Sequence, residues 1–292
     1  MKVHLVDGTY ELFRYHFGVP ADAREEGGNA AATRGVLGSV LQLLADGATH
    51  VGVATDHVIE SFRNDLWPTY KTSAGVPESL LAQFPLVERA LAAMGVVVFP
   101  MIEVEADDAL ASATAVSVDD PEVDQVVICT PDKDLGQCVS GQRVVQLDRR
   151  KRVVLDEAGV RAKFGVAPES IPDYLALVGD SADGYPGLKG WGAKATAAVL
   201  SRYGHLENIP RLGERWDSDV RGARSLANTL NEQHDLALLF RDLATLRVDR
   251  SLLAGVDELR WTGPTAAFAE VCGELNAPGL PDRASRLARR ME

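Results

Sequence analysis

The chain has 292 residues, 46% hydrophobic and 25% charged, the balance of a globular protein with enough apolar residues for one large domain or two. No apolar stretch is long enough to span a membrane, and the N-terminus reaches Asp7 too early for a signal peptide. The net charge of −12 argues at first sight against a nucleic-acid partner, and three cysteines (Cys129, Cys138, Cys272) without metal-type spacing favour a reduced, cytoplasmic setting.

Along the chain, strand-like runs fall at 2–6, 51–55, 96–99, 125–130 and 144–147. Helical patterns lie between them at 34–45, 79–94 and 106–117. This alternation predicts a parallel α/β sheet. The basic run Arg149-Arg150-Lys151-Arg152 separates two β-like runs and reads as a hairpin tip, either a solvated turn or a phosphate contact. Beyond residue 156 the strand signal fades. Asp156 is placed to cap a helix through Lys163, and Ser170-Ile171-Pro172 opens another. The remainder reads as helical. The soft boundary near 165–172 gives a first domain over 1–168 and a second over 169–292. The segment 64–77 is polar and broken by Pro68, Gly75 and Pro77, as expected of a surface loop or a mobile lid.

Nine acidic residues recur in short clusters: Asp7; Asp56; Glu105, Asp107 and Asp108; Asp132 and Asp134; Asp180 and Asp183. Most close an apolar run. In an open parallel sheet the C-terminal strand ends meet along one edge, where ligands bind. Carboxylates gathered there repel one another unless cations neutralise them, and hard oxygen ligands select Mg²⁺ or Mn²⁺. Each cluster alone has a plainer reading. Acidic residues at 105–108 suit a helix N-terminus, and Asp132 and Asp134 suit a cap. The repetition at successive strand ends is what favours metal. The charge distribution agrees, since residues 1–183 carry 15 basic and 28 acidic residues while 184–292 carry 15 and 14. Bound cations would offset that excess, and local basic positions can still meet phosphates.

The most specific string runs from Val178 to Thr196. Asp180 and Asp183 are followed by Gly187, Lys189, Gly190, Gly192 and Lys194 as a helix opens. Glycines let backbone N–H groups approach a phosphate at a helix N-terminus, and the lysines add cations. A plain turn between helices uses glycines too.

With these motifs the chain resembles the bacterial 5′→3′ exonuclease and flap endonuclease family, whose members include the N-terminal nuclease domain of DNA polymerase I. The resemblance covers nearly the whole length. It rests on Leu5-Val6-Asp7-Gly8 with Arg14, Ala54-Thr55-Asp56 with Ser61-Phe62-Arg63, Tyr70-Lys71, Glu105-Ala106-Asp107-Asp108, Pro131-Asp132-Lys133-Asp134-Leu135, the 178–196 string and Leu243-Ala244-Thr245. It implies a PIN-like parallel-sheet nuclease core followed by a helical region with a helix–three-turn–helix at about 174–200.

The implied roles follow residue by residue. Asp7, Asp56, Glu105, Asp107 and Asp108 match a first metal site and its surroundings, Asp132 and Asp134 ligands between sites, and Asp180 and Asp183 a second site. Lys71 and Arg63 match catalytic cations of an arch at 64–77. Arg14, Gly187, Lys189, Gly190, Gly192, Lys194 and Thr196 match DNA contacts. The implied cofactors are two or more Mg²⁺ or Mn²⁺ ions, with K⁺ at the helix–three-turn–helix. The implied partners are 5′-ended, flapped or branched DNA and a separate DNA polymerase, with a monomer as the working form. The implied reaction is hydrolysis of a DNA phosphodiester bond. A structure-specific DNA-binding protein with weak or no cleavage and a metal phosphatase of small substrates are the alternative readings. Four positions depart from the family pattern. Ala74 stands where an arginine is common, Gly184-Tyr185 replaces Asn-Ile, and Trp191 replaces an aliphatic residue.

Overall fold

Apolar, β-branched runs become strands in the structure, a computed structural model that describes residues 1–18 and 30–291. They are β1 (Lys2–Asp7), β2 (His50–Asp56), β3 (Val97–Met101), β4 (Gln125–Cys129) and β5 (Val144–Asp148), joined by the short β6 (Val153–Leu155). In chain order the helices are α1 (Gly8–Gly18), α2 (Ala31–Ala45), α3 (Arg63–Leu66), α4 (Glu78–Leu81), α5 (Gln83–Ala93) and α6 (Ala106–Asp119). They continue with α7 (Glu157–Phe164), α8 (Ile171–Val178), α9 (Ala193–Tyr203), α10 (Ala223–Glu232), α11 (His234–Ala244), α12 (Phe268–Glu274) and α13 (Gly279–Met291). The single helix expected over 79–94 is two. Pro85 falls in the first turn of α5 and has no N–H to give the carbonyl of Leu81, so the chain breaks at Ala82.

The chain forms two compact units, each assembled from separated stretches: Met1–Ile59 with Ser73–Thr130 and Val248–Glu292, and Glu60–Thr72 with Pro131–Arg247. In the first, four parallel strands lie in the order β3-β2-β1-β4. Parallel strands are covered on both faces, which is why β2 is buried at every residue and why Val3, Leu5, Val53, Val126 and Ile128 are shielded. Helix α6 packs across all four strands, and α1, α2 and α5 pack against one another. The C-terminal stretch returns to this unit. Trp261 donates its backbone N–H to Thr49 (2.8 Å) and its indole N–H to the carbonyl of Met94 (2.8 Å).

The second unit contains the hairpin of β5 and β6, in which Asp148 pairs with Val153 across the basic tip. Asp156 caps α7 by accepting from Gly159 N–H at 2.8 Å. Pro172 occupies the first turn of α8, where its missing N–H costs nothing. Helices α9 and α11 pack on α8. The core of this unit includes Leu175, Tyr185, Trp191 and Phe240, and the Phe240 ring meets Trp67 at 5.0 Å and Tyr185 at 5.4 Å. Asp173, nearly fully buried, is ion-paired with Arg241 (3.1 Å) and hydrogen-bonded with the Nδ1 of His205 (2.8 Å). Among the described residues no helix is long and apolar enough to cross a membrane.

Two glycines set the turn between α8 and α9. Gly187 has φ +67°, and a Cβ there would lie 2.4 Å from the backbone nitrogen of Gly179 and 2.5 Å from the carbonyl of Leu177. Gly184 has φ +84°, and a Cβ there would lie 2.0 Å from the carbonyl oxygen of Thr69. Asparagine tolerates a left-handed backbone but carries a Cβ, so the family's Asn has no room here. Gly184→Asn and Gly184→Ala are each expected to lower the unfolding free energy by about 2 kcal/mol or more. Urea unfolding measures this, and a wild-type midpoint in the Asn variant would mean that the Thr69 carbonyl yields.

Candidate metal centre

In the first unit, strand register brings carboxylates to the C-terminal edge of the sheet. Asp7 ends β1 opposite Ala54, and Asp56 ends β2 opposite Met101. Asp7 accepts from the Tyr10 N–H (2.8 Å) and from the Thr130 hydroxyl (2.8 Å). Asp56 accepts from the N–H of Ala106 (2.6 Å), at the start of α6, and its own N–H donates to the Thr9 hydroxyl (2.8 Å). Asp108 accepts from the N–H of Glu105 at 2.9 Å, half of a capping box. Asp7, Asp56, Glu105 and Asp108 are buried and Asp107 is half-buried. The capping expected at 105–108 is therefore present. The helix start uses some carboxylate oxygens and fixes where the others stand.

In the second unit, Asp134, Asp180 and Asp183 each place a carboxylate oxygen within 4.8 Å of the others. A short 3-10 turn, Asp134–Cys138, orients the first, and the turn leaving α8 orients the other two. Asp132, exposed, accepts from the N–H of Asp134 at 3.0 Å, so it shapes the loop that presents Asp134. Asp180 accepts from Ala182 N–H at 2.9 Å and is ion-paired with Lys133. The Oδ1 of Asp134 is buried without a hydrogen-bond partner. Burial, and then the charges of Asp132, Asp183 and Asp180, push the Asp134 carboxyl well above the usual carboxylate range, with Lys133 opposing. Lys133 itself is held above its ordinary value. Burial works against its charge, and Asp180, Asp134 and Asp132 outweigh it. An all-oxygen donor set with excess negative charge and a free buried oxygen fits a hard divalent cation.

The cations expected at the site are placed differently from one another. Lys71 Nζ lies 3.5 Å from Asp183 Oδ1, and the Lys71 N–H donates to the Asp183 carbonyl at 3.0 Å. The first part of the expected arch is therefore tied to the acidic turn. Trp67 Nε1 (3.1 Å) and the Thr69 hydroxyl (2.9 Å) also donate to the carbonyl of Gly184. Arg63 departs from the expectation of a catalytic cation. It is 1% exposed, and its guanidinium donates to the carbonyls of Leu243 (2.8 Å) and Thr245 (3.2 Å) at the end of α11. An arginine committed to helix-end carbonyls anchors the segment instead of presenting charge to solvent. Arg14, in the first unit, pairs with Glu11 and lies 4.1 Å from the Tyr15 ring centroid.

Of the expected phosphate contacts, Lys189, Gly190, Gly192 and Lys194 face solvent at the start of α9. Gly187 and Thr196 are buried, Gly187 against the end of α8. Trp191 is packed inside, its indole donating to the Leu226 carbonyl at 3.2 Å beside Trp216. Three further residues meet the acidic positions without being marked in the sequence: Lys133, between Asp132 and Asp134, and Thr9 and Thr130, whose hydroxyls meet acidic strand ends. Nothing in a lone threonine signals such a role, because the partner arrives from another strand.

Comparison with known proteins gives two family models in tandem. The model described as 5′-3′ exonuclease, N-terminal resolvase-like domain, matches residues 2–165, and 5′-3′ exonuclease, C-terminal SAM fold, matches 166–267. A DNA polymerase I of Pseudomonas aeruginosa is 32% identical over 87% of this chain, but the match covers 28% of that protein. The chain spans between 25% and 30% of the length of three such polymerase relatives. A 5′-3′ exonuclease of Aquifex aeolicus is 30% identical over 82% of either chain. Among solved structures, the T5 D15 protein co-crystallised with metal ions superimposes with TM-score 0.66 at 17% identity over the whole of both chains. The catalytic core of Rad2 in complex with DNA substrate gives 0.65 at 15% identity over 98% of this chain and 92% of that one. These structural likenesses establish a shared fold. With both halves matched by consecutive family models and most of its length aligned to an exonuclease of similar extent, the chain belongs to the 5′-3′ exonuclease family of nucleases.

Proposed function

We propose that this chain hydrolyses phosphodiester bonds of DNA near a 5′ end or at a 5′ flap, with Mg²⁺ or Mn²⁺ bound to its clustered carboxylates. The Asp134–Asp180–Asp183 cluster carries the reading, because it is charged, oxygen-only and incompletely neutralised by the protein itself. Asp7, Asp56, Glu105, Asp107 and Asp108 are proposed as ligands of a further ion and its surroundings, with Asp132 supporting the loop of Asp134. Divalent cations at such carboxylates lower the pKa of water and neutralise charge on the transferring phosphate. The carboxylates hold and orient, and none need bond to phosphorus. Lys71, half-buried beside Asp183, neutralises charge on the scissile phosphate. Arg63 keeps the Lys71 segment in place through α11.

The substrate's duplex part is assigned to the exposed start of α9, where backbone N–H groups and Lys189 and Lys194 meet phosphates without reading bases. A K⁺ ion at the 184–192 turn is part of the same reading. The nuclease core is assigned to 1–168 and duplex binding to 169–292, with Asp180 and Asp183 of the latter completing the metal cluster. A separate DNA polymerase is the proposed partner, and a monomer the acting form.

Asp134→Asn should cut Mg²⁺-dependent cleavage by at least about 100-fold while DNA binding remains measurable. In metal-free buffer the same variant should melt no lower than wild type, because it removes a buried, repelled carboxylate. Wild-type cleavage in excess chelator would end the metal assignment.

The double variant Lys189→Ala with Lys194→Ala should reduce the slope of log affinity against log salt by about 1–2, as two phosphate contacts release their counterions. Equilibrium binding to duplex DNA over a salt series tests this, and an unchanged slope would place the grip elsewhere.

Lys71→Ala should slow single-turnover cleavage of a 5′-flap substrate by about 100-fold with little change in duplex affinity, since a contact made in the transition state shows up in rate. Equal rates for variant and wild type would reduce Lys71 to an ion-pair partner of Asp183.

A further inference from the structure

The buried polar atoms of the second unit without hydrogen-bond partners include Asp134 Oδ1, in the acidic cluster, and the phenolic oxygen of Tyr185, two residues beyond Asp183. Tyr185 is 1% exposed. It forms an antiparallel bridge with Asp180, whose N–H donates to the Tyr185 carbonyl (2.8 Å) while the Tyr185 N–H donates to the Asp180 carbonyl (3.0 Å). Directly opposed residues of an antiparallel pair send their side chains to the same face. The phenol therefore stands on the side of the turn that carries the Asp180 carboxylate, one of the three clustered ligands. A phenol carries its own O–H and is a hydrogen-bond donor.

Ring packing alone does not account for a tyrosine here. The contact with Phe240 at 5.4 Å uses the ring, and phenylalanine would supply it without burying a hydroxyl. An unsatisfied buried hydroxyl is a standing cost, and so is an unsatisfied carboxylate oxygen. One is a donor and the other an acceptor, and the turn 180–185 that carries Tyr185 also carries Asp180 and Asp183, which cluster with Asp134.

We propose that Tyr185 is a positioning residue, its hydroxyl supplying the hydrogen bond that orients the Asp134 carboxylate when the cluster holds a divalent cation. The inference rests on the metal reading of Asp134, Asp180 and Asp183. It goes beyond it by giving a second-layer part to a residue at which this chain departs from its family's apolar pattern. Hydrogen bonds to metal-binding carboxylates fix their direction and raise affinity.

The test is Mn²⁺ titration calorimetry on the full chain, wild type and Tyr185→Phe, with thermal melts of both in chelator and tyrosine difference absorbance on Mn²⁺ addition. The expected result is an affinity about tenfold weaker in Tyr185→Phe. Its metal-free melting point should equal or exceed that of wild type, and wild type should show a Mn²⁺-induced tyrosine signal that the variant lacks. An affinity within about twofold of wild type overturns the inference and leaves the metal site standing. Weaker binding accompanied by a lowered metal-free melting point also overturns it, assigning the effect to ring packing. If Tyr185→Phe fails to fold, the wild-type spectrum decides, and no tyrosine signal at Mn²⁺ saturation overturns the inference. No Mn²⁺ binding by wild type removes the metal reading itself, and this inference with it.

Discussion

Asp134, Asp180 and Asp183 bring carboxylate oxygens within 4.8 Å of one another, in a place where Asp134 and Asp180 are buried. At that separation each ionised pair repels by on the order of 3 kcal/mol at an effective dielectric of about 20. The protein offsets only part of this. Lys133 pairs with Asp180, Lys71 lies near Asp183, and the Asp134 carboxyl is driven well above its ordinary range. Buried charge of one sign is held by surrounding structure, and much of the second unit can be understood as that support. The 3-10 turn at Asp134–Cys138, the left-handed glycines of the α8–α9 turn, and the Trp67, Thr69 and Lys71 bonds to the Asp183–Gly184 backbone all fix where the three carboxylates stand.

The carboxylates of the first unit are fixed by different means. Asp7 and Asp56 are placed by strand register and held by the hydroxyl of Thr130 and the N-terminus of α6. A parallel sheet supplies such an edge at little local cost, because its strand ends are followed by helix starts rich in N–H donors. The capping and ligand readings of 105–108 are thus complementary: the helix start that Asp108 caps is also the donor that orients Asp56.

Departures from the family pattern are linked by contact. Gly184 is required by the approach of the Thr69 carbonyl, Thr69 and Trp67 both donate to Gly184, and Trp67 and Tyr185 pack on the same Phe240 ring. A glycine, a tyrosine and the segment that carries Lys71 have therefore adjusted to one another. Arg63, through its bonds to Leu243 and Thr245, ties that segment to α11. The quoted string Leu243-Ala244-Thr245, which carried no assigned role in the sequence, is its receptor.

The amino-acid sequence by itself determined the alternating strands and helices of the first half, the cap at Asp156, the helix start at Pro172, and the acidic clusters that identify the family. These features are local. Periodicity, capping and terminal carboxylates act within a few residues, so a linear reading finds them. Tertiary structure decided which of the marked residues meet. Lys133 reaches Asp180 across 47 positions of sequence, Thr130 reaches Asp7, Arg63 turns inward to α11, and Gly187 and Thr196 are buried while Lys189 and Lys194 stay exposed. A charge or a hydroxyl looks the same in sequence whether it faces solvent or a partner. Burial and the direction of a side chain are set by elements distant in the chain, and those exist only once the chain has folded.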